Sequence, residues 1–372
     1  MYTELTDICC KINDKLGSIT LSENYFHFRG TEPIGLEALE KVIFDQIALA
    51  PDSLQKRLKE EYFGLGPLKE ILENPSVTEI IINCFDSLWI EKDGRLSEFN
   101  DSFLSLQTYK LFLQRLYLQI GLEPTLTHPF VDGQWNGHRL HIIGSYSHES
   151  KPVRIAIRKH KLSSWTLAEL LKSSWASEPA IALLKTLVLT KKNFLVIGAT
   201  GSGKTSVLNA LMNEIPDNER VIVIEDSEEL KLPNRSSSQL LTRYDQRQVL
   251  PTVSLTDLVR QSLRMRPDRL VIGEVRGGEA KDLLLALATG HEGSASTLHA
   301  SDGRQALIRL EMLIQMGAPQ WNLHAIRRLI QMSLEYLIIC HKNTNGHRQL
   351  EGIYQIVSLE ESGLIVERVY HG

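Results

Sequence analysis

The chain has 372 residues, 42% of them hydrophobic and 23% charged, with a formal net charge of -4. That length allows about two or three domains with packed cores, and the small negative charge excludes the global basic field of a chain built to coat nucleic acid. Cys9, Cys10, Cys84 and Cys340 contain no CxxC pair, so neither a disulfide framework nor a zinc knuckle is indicated.

The opening segment MYTELTDICC has no basic region followed by an apolar core, and no uncharged apolar run approaches the ~20 residues of a membrane-spanning helix. A cytoplasmic chain is expected. Residues 1–75 carry helical spacing, with Leu36, Leu39, Val42, Ile43, Phe44 and Ile47 on one face, and read as a helical lead-in. From Val77 the pattern becomes that of strands. VTEIIIN, SLWIE, an Asp93-Gly94 turn and RLSEF give a β-hairpin signal; LSLQTYKLFLQRLYLQIG reads as a helix, and Asn136-Gly137 as a second tight turn before RLHIIG and VRIAIRK. Together they make an α+β domain over 76–160. Residues 161–180 are a serine-rich linker that starts at an interdomain hinge and contains a capping box at Thr166 and Glu169.

Over 181–372 strands and helices alternate: NFLVIGA, a helix, RVIVIE, a loop, a helix from about Ser254, RLVIGE, a helix, then SASTLH. This predicts a mostly parallel sheet covered by helices on both faces, with its ligand at the carboxyl ends of the strands. Beyond Leu337 come short β segments with turns at Asn345-Gly346 and Ser362-Gly363.

GATGSGKT, from Gly198 to Thr205, stands between the apolar run Phe194–Ile197 and a helical stretch. In such a loop Gly198, Thr200, Gly201, Ser202 and Gly203 turn backbone N–H groups around a di- or triphosphate, and the helix places its positive end beneath. Lys204 reaches the β and γ phosphates, and Thr205, followed by Ser206, offers a hydroxyl to Mg2+. ATP and Mg2+ are therefore expected. Other polar groups fall at the same strand ends: the acidic run Glu225, Asp226, Glu228 and Glu229, then Glu274, then His299. Glu274 follows LVIG, where a carboxylate is costly unless it faces a metal, water or a donor. Arg260, Arg264, Arg266, Arg269 and Arg276 suit a nucleic-acid patch or a helix surface.

GATGSGKT, IEDSEEL, LRMRPDRLVIGEVRGGEA and TGHEGSASTLHA resemble the Walker A, Asp box, Walker B and His box of the type II/IV secretion ATPase superfamily. FGLGPLKEILENPSVTEIIIN and SLWIEKDGRL resemble its Tad/Cpa pilus-assembly (CpaF-like) branch, which is related to the VirB-type conjugation ATPases. The resemblance runs from about Leu54 to the carboxyl terminus. It implies a RecA-like P-loop NTPase domain after a PAS-like α+β domain, the two clamping ATP within a homohexamer. It also implies that Glu229 activates water, that Glu274 holds the Mg2+ shell, and that His291 and His299 link the γ-phosphate position to domain movement. Arg139 and Arg158 match basic positions facing the nucleotide, and Arg243 matches an arginine near the subunit boundary. Expected partners are the inner-membrane platform proteins of a pilus or secretion machine, which would hold the chain at the membrane's cytoplasmic face.

Phosphoryl transfer to water needs positioning and charge neutralisation more than covalent help, which suits Lys204, Mg2+ and an arginine. Gly273 stands where many P-loop ATPases carry a Mg2+-binding aspartate, so the metal relies on Thr205 and on waters that Glu274 orients. Three function classes follow: a hexameric motor ATPase for a Tad-like pilus or a VirB-type conjugation or secretion machine, a nucleic-acid translocase, and a nucleotide-dependent scaffold. Glu229 and Glu274 argue against the scaffold, the near-neutral charge argues against the translocase, and the absence of an NKxD segment excludes a small GTPase.

Overall fold

The structure, a computed structural model, describes residues 2–23, 34–92, 94–145, 152–159, 165–244, 250–343, 345–361 and 363–371, leaving aside the side chains at 17–23 and 34–39. The start of the predicted hinge, Asp93 of the first turn and Ser362 of the last lie outside the described residues, as do the side chains of Leu36 and Leu39. Contacts divide the chain into two compact units, Met1–Lys161 and Leu162–Gly372.

The first unit opens with helices α1 (Tyr2–Glu23), α2 (Ile34–Ala48), α3 (Asp52–Phe63) and α4 (Leu68–Glu73). Leu5, Cys9, Ile12, Ile43, Ile47, Leu54, Leu58 and Tyr62 form one core among them. Phe44 departs from the apolar face read in the sequence: it is 46% exposed, and its ring stacks on Phe63. Beneath this layer Glu61 is buried, its charge matched by Arg57 at 2.6 Å and by the Leu104 amide at 2.8 Å.

A six-stranded antiparallel sheet follows in the order β3-β2-β1-β6-β5-β4. Its strands are β1 (Val77–Cys84), β2 (Ser87–Lys92), β3 (Arg95–Glu98), β4 (Phe130–Trp135), β5 (His138–Ile143) and β6 (Arg154–Arg158), with helix α5 (Leu106–Ile120) between β3 and β4. Ser105 and Thr108 cap α5 reciprocally, and Gly121 ends it at φ 70°, a left-handed position that suits glycine. Asn136 (φ 50°) and Gly137 (φ 74°) make the tight β4–β5 turn that the pair signals. The alternation is plain in Ile80, Ile82, Leu140, Ile142, Ile155 and Ile157, which share a core with Tyr109, Phe112 and Leu116 of α5.

The second unit begins with α6 (Leu167–Lys172), whose Thr166–Glu169 capping box forms as read, and α7 (Glu178–Leu189). Then come β7 (Phe194–Gly198), α8 (Lys204–Met212), β8 (Val221–Glu225), β9 (Ser238–Leu241), α9 (Leu255–Ser262), β10 (Arg269–Ile272), α10 (Glu279–Leu287) and β11 (Ala295–His299). Helices α11 (Gly303–Gly317) and α12 (Leu323–Ser333) precede β12 (Tyr336–Lys342), β13 (Arg348–Glu360) and β14 (Gly363–His371). The sheet order is β14-β13-β12-β7-β11-β10-β8-β9. Pairing is parallel from β12 to β9, and β13 and β14 add an antiparallel edge. Strands β7, β8 and β10 are buried along their whole length, as a sheet covered on both faces demands. One face packs on α9 to α12 through Leu258, Leu284, Leu310, Ile314 and Ile330, the other on α6 to α8 through Leu170, Leu184, Leu187, Leu208 and Leu211.

The carboxyl-terminal strands are not short. β13 runs 13 residues and β14 nine, with register shifts after Ile353 and Ile356 that interrupt the alternation on which a sequence reading depends.

Among the described residues no helix is long and apolar enough to cross a membrane. The cysteines give a direct check on burial. Cys9 and Cys340 are buried and Cys10 is exposed, and burial pushes the Cys340 thiol from 9.0 up to about 12. A three-unit rise cuts the thiolate fraction roughly 1000-fold, and the thiolate is the reactive form. Iodoacetamide at neutral pH is expected to label Cys10 first in the native chain and Cys340 only after denaturation; peptide mass spectrometry over time reads the order.

Candidate functional site

The carboxyl end of β7 leads into the glycine loop. Gly201 (φ 72°) and Gly203 (φ 94°) are left-handed, and Gly203 is the residue that caps α8. A side chain at Gly198 would collide with the Ser202 hydroxyl and the Cys340 carbonyl, so the strand can enter this turn only as glycine. Lys204 Nζ donates to the carbonyls of Gly198 and Ala199, both at 3.1 Å, which folds the ammonium over the loop. Ser202 is fully buried, and Thr205 and Ser206 are half-buried in the first turn of α8. Arg348, at the start of β13, donates to the Gly201 carbonyl at 2.8 Å; nothing in the sequence links it to a loop 147 residues earlier.

At the end of β8 the acidic run divides by environment. Glu225 is 3% exposed. Burial raises its carboxyl from 4.5 to about 7, against the pull of Gln239 and the Leu230 and Glu229 amides. Asp226 accepts from the Thr242 hydroxyl at 3.0 Å. Glu228 is exposed and Glu229 half-buried.

Strand β10 delivers Glu274 beside this run. Arg276 Nη2 donates to Glu274 at 2.6 Å, and Arg276 Nη1 lies 3.6 Å from Asp226, so one guanidinium joins the two acidic loops. Burial pushes Glu274 up, yet the Arg276 bond and charge, with Lys204 and His299, hold it below the ordinary carboxylate value. His299 ends β11 opposite Gly198 of β7, and its Nδ1 lies 3.4 Å from the Thr200 hydroxyl. Burial, then the charges of Lys204 and Arg309, lower the His299 pKa, which favours the neutral ring. The structure thus brings Gly198–Ser206, Glu229, Glu274 and His299 to one edge of the sheet.

Of the other candidates in the second unit, His291 stands at the opposite edge and Arg243 at the near one, two residues beyond the end of β9. His291 precedes β11, and its Nδ1 lies 3.0 Å from the Ala286 carbonyl at the far end of a strand that spans roughly 15 Å. Arg243 forms a bridge with Val253, and its guanidinium donates to the Pro251 carbonyl at 3.0 Å. Arg139 and Arg158 belong to the first unit, where they stand directly opposite each other on β5 and β6, with Glu79 of β1 next in the row.

The arginine group is divided, with Arg269 buried, Arg260 and Arg276 exposed but ion-paired, and Arg264 and Arg266 exposed. Arg269 is fully buried, donating to Glu219 at 2.6 Å and to the Val188 carbonyl at 2.9 Å. Arg260 pairs with Asp282 at 3.1 Å, and Arg276 is spent on Glu274. Arg276 was hidden in the sequence by that grouping, although its place two residues after Glu274 is a signal for a shared side in an extended segment. Asn209, which bonds the Glu229 carbonyl at 3.2 Å from the middle of α8, carries no such signal.

These residues fit a nucleoside triphosphate with a divalent cation. The left-handed glycines remove Cβ obstruction from the loop amides, and the Lys204 ammonium hovers over them. Among the described residues no three of His, Cys, Asp and Glu cluster as a metal site. A cation here would depend on Thr205, Glu274 and the phosphates themselves. Arg276→Ala tests the electrostatics. Without the guanidinium Glu274 protonates at higher pH, so the acid limb of the kcat profile is expected to move upward while nucleotide affinity at pH 8 stays within about threefold; an unmoved limb would separate Arg276 from the chemistry.

The type II/IV secretion system protein family matches residues 145–359. A Mycobacterium tuberculosis protein whose name proposes a role in conjugal transfer is 32% identical over 302 residues, covering 80% of this chain and 85% of its own. The type IV secretion system protein PtlH of Bordetella pertussis is 29% identical over 316 residues, covering 78% and 93%. Among solved structures the Legionella pneumophila ATPase DotB shares the fold, with a TM-score of 0.57 at 20% identity over 79% of this chain and 80% of its own. The family match and the mycobacterial relative establish that this chain belongs to the type II/IV secretion system ATPase family.

Proposed function

We propose that this ATPase is a homohexameric motor that converts ATP hydrolysis into assembly of a Tad-like pilus or a related secretion machine, held at the cytoplasmic face of the inner membrane by that machine's platform proteins. The observation that carries the reading is the meeting of Lys204, Glu229, Glu274 and His299 at the ends of separate parallel strands, with Arg276 bridging the acidic loops. Lys204 and the loop amides bind the phosphates, and Thr205 and Ser206 line the first turn beside them. A bound Mg2+ supplies charge neutralisation; Thr205 would hold it, and Glu274 would orient its waters. Glu229 accepts a proton from the attacking water, and neutral His299 follows the terminal phosphate through Thr200.

His291, at the other end of β11, is assigned the mechanical part of that role, and Arg243 a contact at the subunit boundary. Arg139 and Arg158 stand opposite each other on adjacent strands with Glu79 beyond Arg158, which leaves two cations to one anion in the row and suits a further anion. This supports the nucleotide-facing role that the family resemblance gives them. The Tad branch rests on FGLGPLKEILENPSVTEIIIN, which folds as the end of α3, α4 and β1. The names of the mycobacterial relative and PtlH favour a second reading, a VirB-type conjugation or secretion ATPase. Deleting the gene separates them: loss of surface fibres supports the first, loss of a secreted or transferred cargo with fibres intact the second. The buried or paired state of Arg269, Arg260 and Arg276 weighs against a nucleic-acid channel.

Removing one such charge from the transition state costs about 3 to 4 kcal/mol. Lys204→Ala is therefore expected to lower turnover by at least about 100-fold, and Glu274→Gln to keep fluorescent-ATP binding while stalling phosphate release. Turnover within about threefold of wild type for Lys204→Ala would overturn the site. Arg139→Ala with Arg158→Ala is expected to raise KM for ATP with the hexamer intact by sedimentation; an unchanged KM removes the pair from nucleotide binding.

A further inference from the structure

Glu225 is the buried carboxylate of the acidic run, and the hydrolytic scheme does not use it. Glu225 ends β8 with its side chain turned into the protein, at 3% exposure. Burying a carboxylate is costly unless donors replace water, and here three do so. Gln239 Nε2 on β9 donates at 2.7 Å, and the backbone amides of Leu230 and Glu229 donate at 3.2 and 3.3 Å. A four-residue excursion therefore begins and ends on the same carboxylate.

The same peptide is held from the other side. Asn209 Nδ2 on α8 donates to the Glu229 carbonyl at 3.2 Å, and Asn209 Oδ1 accepts from the Lys231 amide at 2.9 Å. Glu229 thus has its amide tied to β8 and its carbonyl tied to the helix that begins with Lys204.

A third contact explains a sequence feature. A side chain at Gly273 would meet Glu225 Cγ at 2.9 Å and Oε1 at 3.0 Å. The space that an aspartate at this position would need is filled by the Glu225 side chain arriving from the neighbouring strand. Gly273 immediately precedes Glu274, so the Glu225 side chain packs under both acidic loops.

We propose that Glu225 is a positioning residue for ATP hydrolysis: with Asn209 it fixes the peptide that carries Glu229 relative to the phosphate loop, and Gly273 is glycine to admit it. The proposal rests on the reading of Glu229 as the carboxylate that activates water. Glu225 itself touches no substrate. Its effect is geometric, since a misplacement of about 1 Å can cost on the order of 100-fold in rate.

The full-length chain with Glu225→Gln tests this against Glu229→Gln and the double variant. The amide keeps the shape but replaces one of two oxygens, each of which faces the Glu229 and Leu230 amides, with an NH2 group that cannot accept from them or from Gln239. Glu225→Gln is expected to lower kcat by on the order of 100-fold while the dissociation constant for a fluorescent ATP analogue stays within about threefold. If Glu225 acts through Glu229, the double variant is no slower than Glu229→Gln within about threefold; multiplied losses mean that Glu225 acts elsewhere and overturn the proposal. An inactive Glu229→Gln beside an unimpaired Glu225→Gln also overturns it while leaving the hydrolytic role of Glu229 standing. A fully active Glu229→Gln removes that role and the proposal with it. Should Glu225→Gln fail to melt cooperatively, Asn209→Ala releases the same peptide from the other side, and its cycle with Glu229→Gln decides by the same criterion.

Discussion

A parallel sheet covered on both faces leaves its polar chemistry few places to go. The faces of β7, β8 and β10 are sealed by helices, so charged groups belong at the strand ends. There the backbone turns, glycines take conformations closed to other residues, and helix amino termini present unpaired N–H groups. Burial of Leu195, Ile197, Ile222, Ile224, Leu270 and Ile272 thus indirectly fixes where Lys204, Glu229 and Glu274 stand. Packing sets the geometry of the site.

At that edge the charged groups have partners of different kinds. Lys204 leans on two carbonyls, Arg276 spans Glu274 and Asp226, and Glu225 draws on amides rather than on a cation. The consequences differ. Glu274, beside a guanidinium, is held ionised. Glu225, with neutral donors and heavy burial, is pushed to about 7. Two carboxylates on neighbouring strands therefore have different characters because their partners differ.

Much of this was legible in the sequence because the relevant signals are local. The glycine loop needs its spacing within eight residues, the capping box at Thr166 needs three, and the Asn136-Gly137 turn needs two. The alternation of strands and helices fixed the class of sheet. What stayed hidden was non-local. Arg348 reaches Gly201 only because β12 lies beside β7 and β13 folds back on β12. Asn209 sits among apolar residues of α8 and reads as a helix position like any other. Arg269 follows an aspartate and precedes an apolar run, and its burial depends on carbonyls supplied by α7 and by the turn before β11. The length of β13 was hidden by its register shifts.

Arg269 also explains why the two histidines lie so far apart. Its guanidinium enters the amino-terminal end of the sheet, held by Glu219 and by the carbonyls of Val188 and Gly293. Gly293 is left-handed at φ 75°, and a side chain there would press on the guanidinium at 2.9 Å from Cζ. The turn carrying His291 is therefore shaped around a buried cation, with Ser294 donating to the His291 carbonyl at 2.7 Å and to nothing at the nucleotide edge. From Ser294 the chain runs straight through β11 to His299, with β10 on one side and β7 on the other. On a strand flanked in this way the side chains from Ala295 to Leu298 are buried, so bending it would displace packed neighbours. Whatever shifts His299 at the phosphate edge must move β11 against its neighbours or leave it in place. The buried arginine holds the turn from which that strand starts.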